Sequence, residues 1–274
     1  MAEIKKITSL KEISFSDLKK EDLVLFDLDD TVFIQEQKIM RNVNSAKRKN
    51  FIEELRKDYG NEKVSYVFDN TKYILVENKI KDIKTNATIL GLTVRRTGKA
   101  TLDQKLTVED DTIRILNYLG VKLFDEKYDC FFKNMNPTKC KKYVYDSLLL
   151  SFKKEDDAMV KKGIIFTNNL KKGFVLKNFL EKKKLFPSSI IFIDDKYDNL
   201  LSVKTEIENE KLFKNISLHL YHYTKASLLD NTVNDDILSI QKKNIIDEKG
   251  FPSDSEVQFS QDAKILDSAI NNLR

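Results

Sequence analysis

The sequence predicts an α/β fold in which a parallel sheet is covered by helices on both faces. Segments with a helical spacing of apolar residues alternate along the chain with short apolar runs, and this alternation favours a parallel sheet. The runs are continuous and rich in Ile, Leu, Val and Phe, which is typical of strands buried on both faces. The four predicted buried strands are Leu23–Leu28, Ala87–Thr93, Gly163–Asn168 and Ser189–Asp194. Ile216–Tyr223 is more polar, and we expect it to form an edge strand.

The predicted helices lie between and after these strands. Thr107 is a candidate N-cap with an acid three residues further on, and Gly120 follows as a stop signal, so this helix has both ends marked. The chain then ends in a polar stretch with two weaker helical patterns. The predicted helices are Ser45–Tyr59, Lys72–Ile83, Thr107–Leu119, Gly173–Leu185 and Asn199–Glu208, with weaker ones near Asp235–Ile245 and Gln261–Leu273.

Two stretches do not fit the strand–helix alternation and are predicted to be insertions. One covers about residues 33–71 and the other about residues 121–162. We therefore expect a single main domain over residues 1–225 that carries both insertions. Residues 226–274 are expected to form a C-terminal helical extension.

The composition narrows the class of protein. The chain has 274 residues, of which 41% are apolar and 33% charged, so it contains enough apolar material for a core. The net charge of +5 is small, and the lysines are dispersed among acids, which gives no indication of nucleic-acid binding. No apolar run approaches the roughly 18 residues of a membrane span, and no secretory signal is evident at the N-terminus. We expect a soluble protein.

Acidic residues follow two of the predicted buried strands. Asp27 and Asp29 come at the end of the first strand, and Asp194 and Asp195 at the end of the fourth. Ligands of open parallel sheets bind beyond the carboxyl ends of the strands, where these side chains would meet. Several carboxylates crowded together are tolerable around a hard cation, and Mg²⁺ prefers carboxylate oxygens. The sequence therefore predicts a magnesium site at this edge of the sheet.

The motif Asp27-Leu28-Asp29-Asp30-Thr31 resembles the first motif of the haloacid dehalogenase (HAD) superfamily, and the Asp194-Asp195 pair resembles its fourth. The resemblance implies that Asp27 is a nucleophile and a metal ligand. It implies that Asp29 is a general acid and later a general base, and that its backbone carbonyl binds the metal. Asp194, with Asp195, would complete the Mg²⁺ site. The resemblance also places a C1-type cap at the 33–71 insertion.

The middle motifs of the superfamily require a Thr or Ser and a Lys, and two candidates exist for each. Thr93 leaves room for the expected helix, strand and helix before Asp194, whereas Thr167 lies only 27 positions before it. We favour Thr93 and keep Thr167 as the alternative. Lys172 directly precedes the apolar face of a predicted helix and is favoured over Lys171. The resemblance implies that the Thr93 hydroxyl, the neighbouring backbone at Val94 and Lys172 bind the substrate phosphate. Arg95 and Arg96 directly follow the second strand, where a guanidinium could meet that phosphate, and a solvated pair is the alternative.

The resemblance implies a Mg²⁺-dependent phosphatase that forms an aspartyl-phosphate. The chain is most similar to an uncharacterised HAD-like family of intracellular and host-associated bacteria, in which some similar proteins act as protein phosphatases inside host cells. This implies a phosphoprotein substrate, with phosphotyrosine favoured, and a role as a bacterial effector. We expect a cytoplasmic location, and secretion into a host cell without a Sec signal is the alternative. The alternatives are a catalytically weak module that docks on a host protein or anionic lipid through its C-terminal region, and a small-molecule phosphatase or phosphomutase.

Overall fold

The fold is α/β, with a mostly parallel central sheet flanked by helices. The computed structural model describes residues 2–98, 106–122, 124–125, 130–132, 140–141 and 158–272. Much of the predicted 121–162 insertion therefore lies outside the described residues. The helices are α1 (Ser45–Asn70), α2 (Val108–Tyr118), α3 (Lys172–Lys183), α4 (Tyr197–Asn209), α5 (Asp235–Ile246) and α6 (Asp254–Asn272).

The described strands form one large sheet and one two-stranded sheet. In chain order they are β1 (Ile4–Ile7), β2 (Leu23–Phe26), β3 (Phe33–Gln35), β4 (Tyr73–Leu75), β5 (Thr88–Thr93), β6 (Cys130–Phe132), β7 (Cys140–Lys141), β8 (Ala158–Lys161), β9 (Ile164–Phe166), β10 (Ser189–Asp194) and β11 (Ser217–Tyr223). The large sheet has the order β1-β11-β10-β2-β5-β9-β8-β6-β7, and β3 pairs with β4. From β1 to β9 in this order all neighbours are parallel, and β8, β6 and β7 continue the sheet antiparallel.

The four buried strands predicted from apolar runs are confirmed as β2, β5, β9 and β10, although β2 and β9 each end two residues early. The prediction that Ile216–Tyr223 is an edge strand is wrong. That segment forms β11, which lies between β10 and β1, with Ile4 opposite Leu220 and Ile7 opposite Tyr223. The strand outside it has the sequence IKKI, whose two central lysines hide the strand pattern.

One predicted helix is absent and another is longer than expected. The segment predicted as Lys72–Ile83 contains β4 and a 3-10 turn over Asn78–Asp82, so the helical spacing there was misleading. The helix predicted to end at Gly60 continues to Asn70 as α1, but Gly60 has φ 81° and separates two helical stretches. The α2 prediction is confirmed, with the Thr107 hydroxyl accepting a hydrogen bond from the backbone N–H of Asp110.

The chain divides into two compact units. The first consists of Met1–Phe33 and Leu75–Leu228 and contains the large sheet. Its buried core lies between the sheet and α3 and α4, and includes Leu25, Phe179 and Phe192.

The second unit consists of Ile34–Ile74 and Leu229–Arg274, so the first insertion and the C-terminal segment fold together. Phe51 and Leu55 of α1 share one core with Ile245 and Phe251. Polar contacts join the same two segments: the side chain of Gln37 donates to the carbonyl of Phe251 at 2.6 Å. Among the described residues, none of the helices combines the length and the hydropathy that a membrane span requires.

Candidate active site

Three of the predicted acids lie together at the carboxyl ends of two neighbouring strands. β2 and β10 are paired in parallel, and the backbone N–H of Asp27 donates to the carbonyl of Ile193 at 2.9 Å. One carboxylate oxygen from each of Asp27, Asp194 and Asp195 lies within 4.8 Å of the other two. The site is therefore built by strand register, which brings together residues 167 positions apart in sequence.

Lys172, the first residue of α3, lies among these acids. Its Nζ is 2.5 Å from Oδ1 of Asp27 and 2.6 Å from Oδ2 of Asp194, and its side chain is completely buried. Lys171, the alternative, is the exposed N-cap residue of the same helix. Of the two lysines, only Lys172 is thus placed to balance the charge of the carboxylates.

A close approach of α3 to α4 positions Lys172. Gly173 follows it, and a Cβ added at Gly173 would lie 2.1 Å from the backbone carbonyl oxygen of Ser202 on α4. The backbone N–H of Gly173 donates to Oγ of Ser202 at 3.1 Å. A residue without a side chain is therefore needed here for α3 to begin at the acidic cluster.

Asp194 is held by groups at the start of α4. The backbone N–H of Lys196 donates to its Oδ1 at 2.8 Å, and Nδ2 of Asn199 lies 3.0 and 3.1 Å from its two oxygens. Asn199 was predicted to be a helix-start residue rather than a ligand, and the structure places its amide against Asp194. Its signal was its place in the first turn of the helix that directly follows the acidic pair, since a side chain there can reach back to the strand end.

Burial and crowding raise the pKa values of two acids. Burial, partly offset by Lys172, raises the pKa of Asp27 to about 7, with the charges of Asp194 and Asp29 adding to the effect. Burial raises the pKa of Asp195 to about 9, and the charges of Asp27, Asp194 and Asp30 contribute. Burial alone would lower the pKa of Lys172, but Asp194 and Asp27 raise it, so the ammonium form is favoured.

Asp29 points to a different partner. Both of its carboxylate oxygens accept hydrogen bonds from Arg95, each at 2.7 Å. Burial alone would raise the pKa of Asp29, but the charge and hydrogen bonds of Arg95 outweigh it and hold the pKa below its usual value. Arg95 was predicted to bind substrate phosphate, and the structure pairs it with the predicted acid–base residue.

Thr93 lies closer to the acidic cluster in the strand order than Thr167 does. Thr93 ends β5, the neighbour of β2, whereas Thr167 follows β9, one strand further away. The Thr93 hydroxyl accepts from the backbone N–H of Arg95 at 3.2 Å, and the Thr167 hydroxyl donates to the carbonyl of Leu170 at 2.9 Å. The carbonyl of Val94, also a predicted phosphate contact, accepts from the N–H of Asn169 at 3.1 Å.

The acidic cluster fits a divalent cation. All three residues offer carboxylate oxygens, which are the donors that Mg²⁺ takes from proteins. Oδ1 of Asp195 is buried, and no hydrogen-bond partner for it lies among the residues that the structure describes. Burial is the main cause of the raised pKa values of Asp27 and Asp195, and the charges of the neighbouring carboxylates add to it. A second cation at this place would satisfy both features.

Comparison with known proteins gives one family. Residues 3–246 match the family model described as "Protein of unknown function (DUF2608)". No curated protein and no solved structure matches the chain.

Proposed function

Because the chain belongs to the DUF2608 family, whose description gives no activity, we propose a function from its own residues: a HAD-like phosphate monoester hydrolase that forms an aspartyl-phosphate on Asp27. The observation that carries the proposal is the buried ammonium of Lys172 between Asp27 and Asp194, with Asp195 beside them. A nucleophilic carboxylate, a fixed cation and further oxygen ligands at strand ends are what phosphoryl transfer requires.

In the first chemical step, a carboxylate oxygen of Asp27 attacks phosphorus. The new bond joins that oxygen to phosphorus, and the bond from phosphorus to the ester oxygen breaks. The ester oxygen leaves with the bonding electrons and takes a proton from Asp29, which has to separate from Arg95 and take up that proton from solvent before this step. Lys172 offsets the negative charge that gathers on Asp27 and on the phosphoryl oxygens.

In the second step, Asp29 takes a proton from a water molecule, whose oxygen attacks phosphorus. The bond between phosphorus and Asp27 breaks, which regenerates the carboxylate and releases inorganic phosphate. The general base therefore ends the cycle protonated, ready to act as the acid again.

Asp27, Asp194 and Asp195 are the residues that would hold Mg²⁺. When bound, Mg²⁺ supplies a Lewis acid that polarises the phosphoryl oxygens and neutralises charge. Asn199 and the N–H of Lys196 fix the orientation of Asp194, which is the role that supporting groups have around metal ligands.

Docking on anionic lipid, one of the alternatives, is less well supported. Residues 226–274 contain nine acidic and five basic residues, so this segment would be repelled by a negative surface. The phosphatase proposal does not depend on that segment for its chemistry.

The proposal is tested with p-nitrophenyl phosphate, a phosphopeptide panel and a panel of small phosphate esters, each assayed with Mg²⁺ and with EDTA. We expect turnover with Mg²⁺ only, and a loss of at least about a thousand-fold in Asp27→Asn. Asp198→Asn is the matched control, because Asp198 is an exposed residue of the first turn of α4 and should retain activity. Undiminished turnover by Asp27→Asn, or in EDTA, would overturn the proposal. Turnover of phosphopeptides over small esters would identify the substrate as a phosphoprotein.

A further inference from the structure

Arg95 forms a bidentate ion pair with Asp29, the predicted acid–base residue, and so binds both of its carboxylate oxygens. Nε of Arg95 is 2.7 Å from Oδ2 of Asp29, and Nη2 is 2.7 Å from Oδ1. The two side chains are 13% and 21% exposed, so the pair lies largely out of solvent. A leaving-group oxygen that approaches Asp29 must contact one of these two oxygens. It therefore competes with a donor of Arg95 for that oxygen.

Two further residues of the same unit hold the guanidinium. Nη1 of Arg95 donates to Oγ1 of Thr112 on α2 at 3.0 Å. That hydroxyl donates its own proton to the carbonyl of Val108 at 2.6 Å, so it can only accept from Arg95. On another side, the guanidinium carbon lies 4.9 Å from the centroid of the Phe33 ring, within the range of a cation–π contact.

Hydrogen bonds hold the backbone on both sides of Arg95, so we expect a change on substrate binding to lie in its side chain. Its N–H donates to the hydroxyl of Thr93 at 3.2 Å, and its carbonyl accepts from the N–H of Asn168 at 3.2 Å. The same loop is attached to α2, because the N–H of Gly98 donates to Oε2 of the buried Glu109 at 2.8 Å. This hydrogen bond therefore joins the loop that carries Arg95 to the helix that carries Thr112.

We propose that the Arg95 guanidinium is an exchangeable clamp, which binds Asp29 before substrate enters and moves to the phosphoryl group when substrate binds, and that Thr112 is the positioning residue that holds it in place during the exchange. The identity of the incoming group rests on the proposed phosphatase function. A dianionic phosphoryl group competes for a guanidinium with the same bidentate geometry as a carboxylate. The exchange frees Asp29 at the moment when it has to contact the leaving oxygen.

Phosphate binding provides a readout that does not require turnover. The dissociation constant of inorganic phosphate is measured by calorimetry in the presence of Mg²⁺, next to kcat and KM for p-nitrophenyl phosphate. We expect Thr112→Val to raise the dissociation constant and KM about five- to ten-fold, with kcat changed less than about two-fold. Thr112→Ser keeps the hydroxyl and should restore wild-type values. Arg95→Lys should weaken phosphate binding by about ten-fold or more, because an ammonium does not form the bidentate contact.

A second pair of variants distinguishes the exchange of Arg95 between Asp29 and phosphate from simple repulsion of phosphate by the charge of Asp29. Asp29→Asn removes the competing carboxylate, so phosphate should bind more tightly than to the wild type. In the Arg95→Lys background this gain should disappear, because there is no longer a clamp to release. If the gain persists unchanged, repulsion by Asp29 explains it and the clamp is refuted.

The remaining outcomes test the clamp and the phosphatase proposal separately. The clamp is overturned if Thr112→Val or Arg95→Lys binds phosphate as tightly as the wild type does. It is also overturned if Thr112→Val and Thr112→Ser lose phosphate affinity equally, or if the wild type does not bind phosphate. If phosphate binding depends on Arg95 and Thr112 but no ester is hydrolysed, the clamp stands and the phosphatase proposal fails. If hydrolysis depends on Asp27 but the affinity for phosphate does not depend on Arg95, only the clamp proposal fails.

Discussion

Lys172 and Asp194 form an ion pair in which Nζ lies 2.6 Å from Oδ2 and neither side chain is exposed to solvent. The same ammonium group lies 2.5 Å from Oδ1 of Asp27, so one cation compensates two buried carboxylates. Removing one partner of a buried ionic group leaves an uncompensated charge, which costs far more than an exposed pair contributes. The stability of this part of the fold therefore depends on Lys172.

Replacing Lys172 by Met should lower the free energy of unfolding by about 3–5 kcal/mol in EDTA. Part of that loss should return with Mg²⁺, since a bound cation would again balance the acids. Lys171→Met is the matched control, and the change at this exposed position should stay within about 0.5 kcal/mol. Urea unfolding of the three proteins, with and without Mg²⁺, makes the comparison. Wild-type stability of Lys172→Met in EDTA would contradict the charge balance described here.

Gly173→Ala tests the approach of α3 to α4. The added methyl group would lie 2.1 Å from the Ser202 carbonyl oxygen, so the helices must move apart and Lys172 must move with α3. We expect a loss of about 1–3 kcal/mol in unfolding free energy, together with loss of activity.

Ser202→Ala is the control for Gly173→Ala. It removes the hydroxyl that accepts from the Gly173 N–H but adds no atoms, so it should cost only about 1 kcal/mol. If Gly173→Ala were as stable and active as Ser202→Ala, the close helix contact would have no part in positioning Lys172.

Phe251→Ala tests whether the C-terminal segment belongs to the core of the second unit. Phe251 is 2% exposed and its ring stacks on Phe51 of α1 with centroids 6.3 Å apart. Its truncation should destabilise this unit by about 3–5 kcal/mol. Phe259→Ala on α6 removes the same group from a side chain that is 77% exposed, and should be close to neutral. Thermal unfolding followed by circular dichroism compares the two variants. Equal losses of stability in Phe251→Ala and Phe259→Ala would show that Phe251 is not part of a shared core.

The lowered pKa of Glu77 should make the stability of the protein depend on pH. Burial alone would raise the pKa of Glu77, but hydrogen bonds from the Leu10 N–H and the Ser9 and Tyr223 hydroxyls outweigh it and lower the pKa. A carboxyl group with a lowered pKa in the folded state stabilises the protein fully above its unfolded value, about pH 4.3, and progressively less as the pH falls through the folded value.

The stability difference between the wild type and Glu77→Gln should therefore be largest near neutral pH and shrink in acid. Urea midpoints measured from pH 7 down to about pH 3 test this, with Glu62→Gln at an exposed position of α1 as the control. A difference that stays constant across this range would show that the ionised form of Glu77 has no special role.

Local signals were sufficient for the strands and helices that carry their own pattern. β10 has the bounds predicted from its apolar run, and α2 lies within one residue of its prediction because Thr107 and Gly120 mark its ends. β1 was missed because its register depends on β11, more than 200 residues away, and two lysines mask its alternation. The joining of the first insertion to the C-terminal segment was likewise beyond local patterns, since Gln37 and Phe251 meet only in the folded chain.

The part of the site that follows from local sequence patterns was predictable. Asp27, Asp194 and Asp195 follow apolar runs whose parallel pairing can be inferred, and Lys172 opens a helix with a clear apolar face. Thr112 carries no motif, and Asn199 was predicted only as a helix-start residue. The importance of both comes from the groups that they face across elements. Arg95 was expected at the phosphate, but its pairing with Asp29 depends on the fold of the loop that follows β5.

The central claim is that Asp27 becomes covalently phosphorylated, and mass spectrometry of the quenched enzyme tests it most directly. Asp29→Asn should slow hydrolysis of the intermediate, so this variant is mixed with p-nitrophenyl phosphate and Mg²⁺, quenched in acid and digested. The account predicts a peptide containing Asp27 that is heavier by one phosphoryl group, and no such peptide from the Asp27→Asn/Asp29→Asn double variant. Turnover of the ester by the wild type and by Asp27→Asn at equal rates, with no phosphorylated peptide, would contradict it.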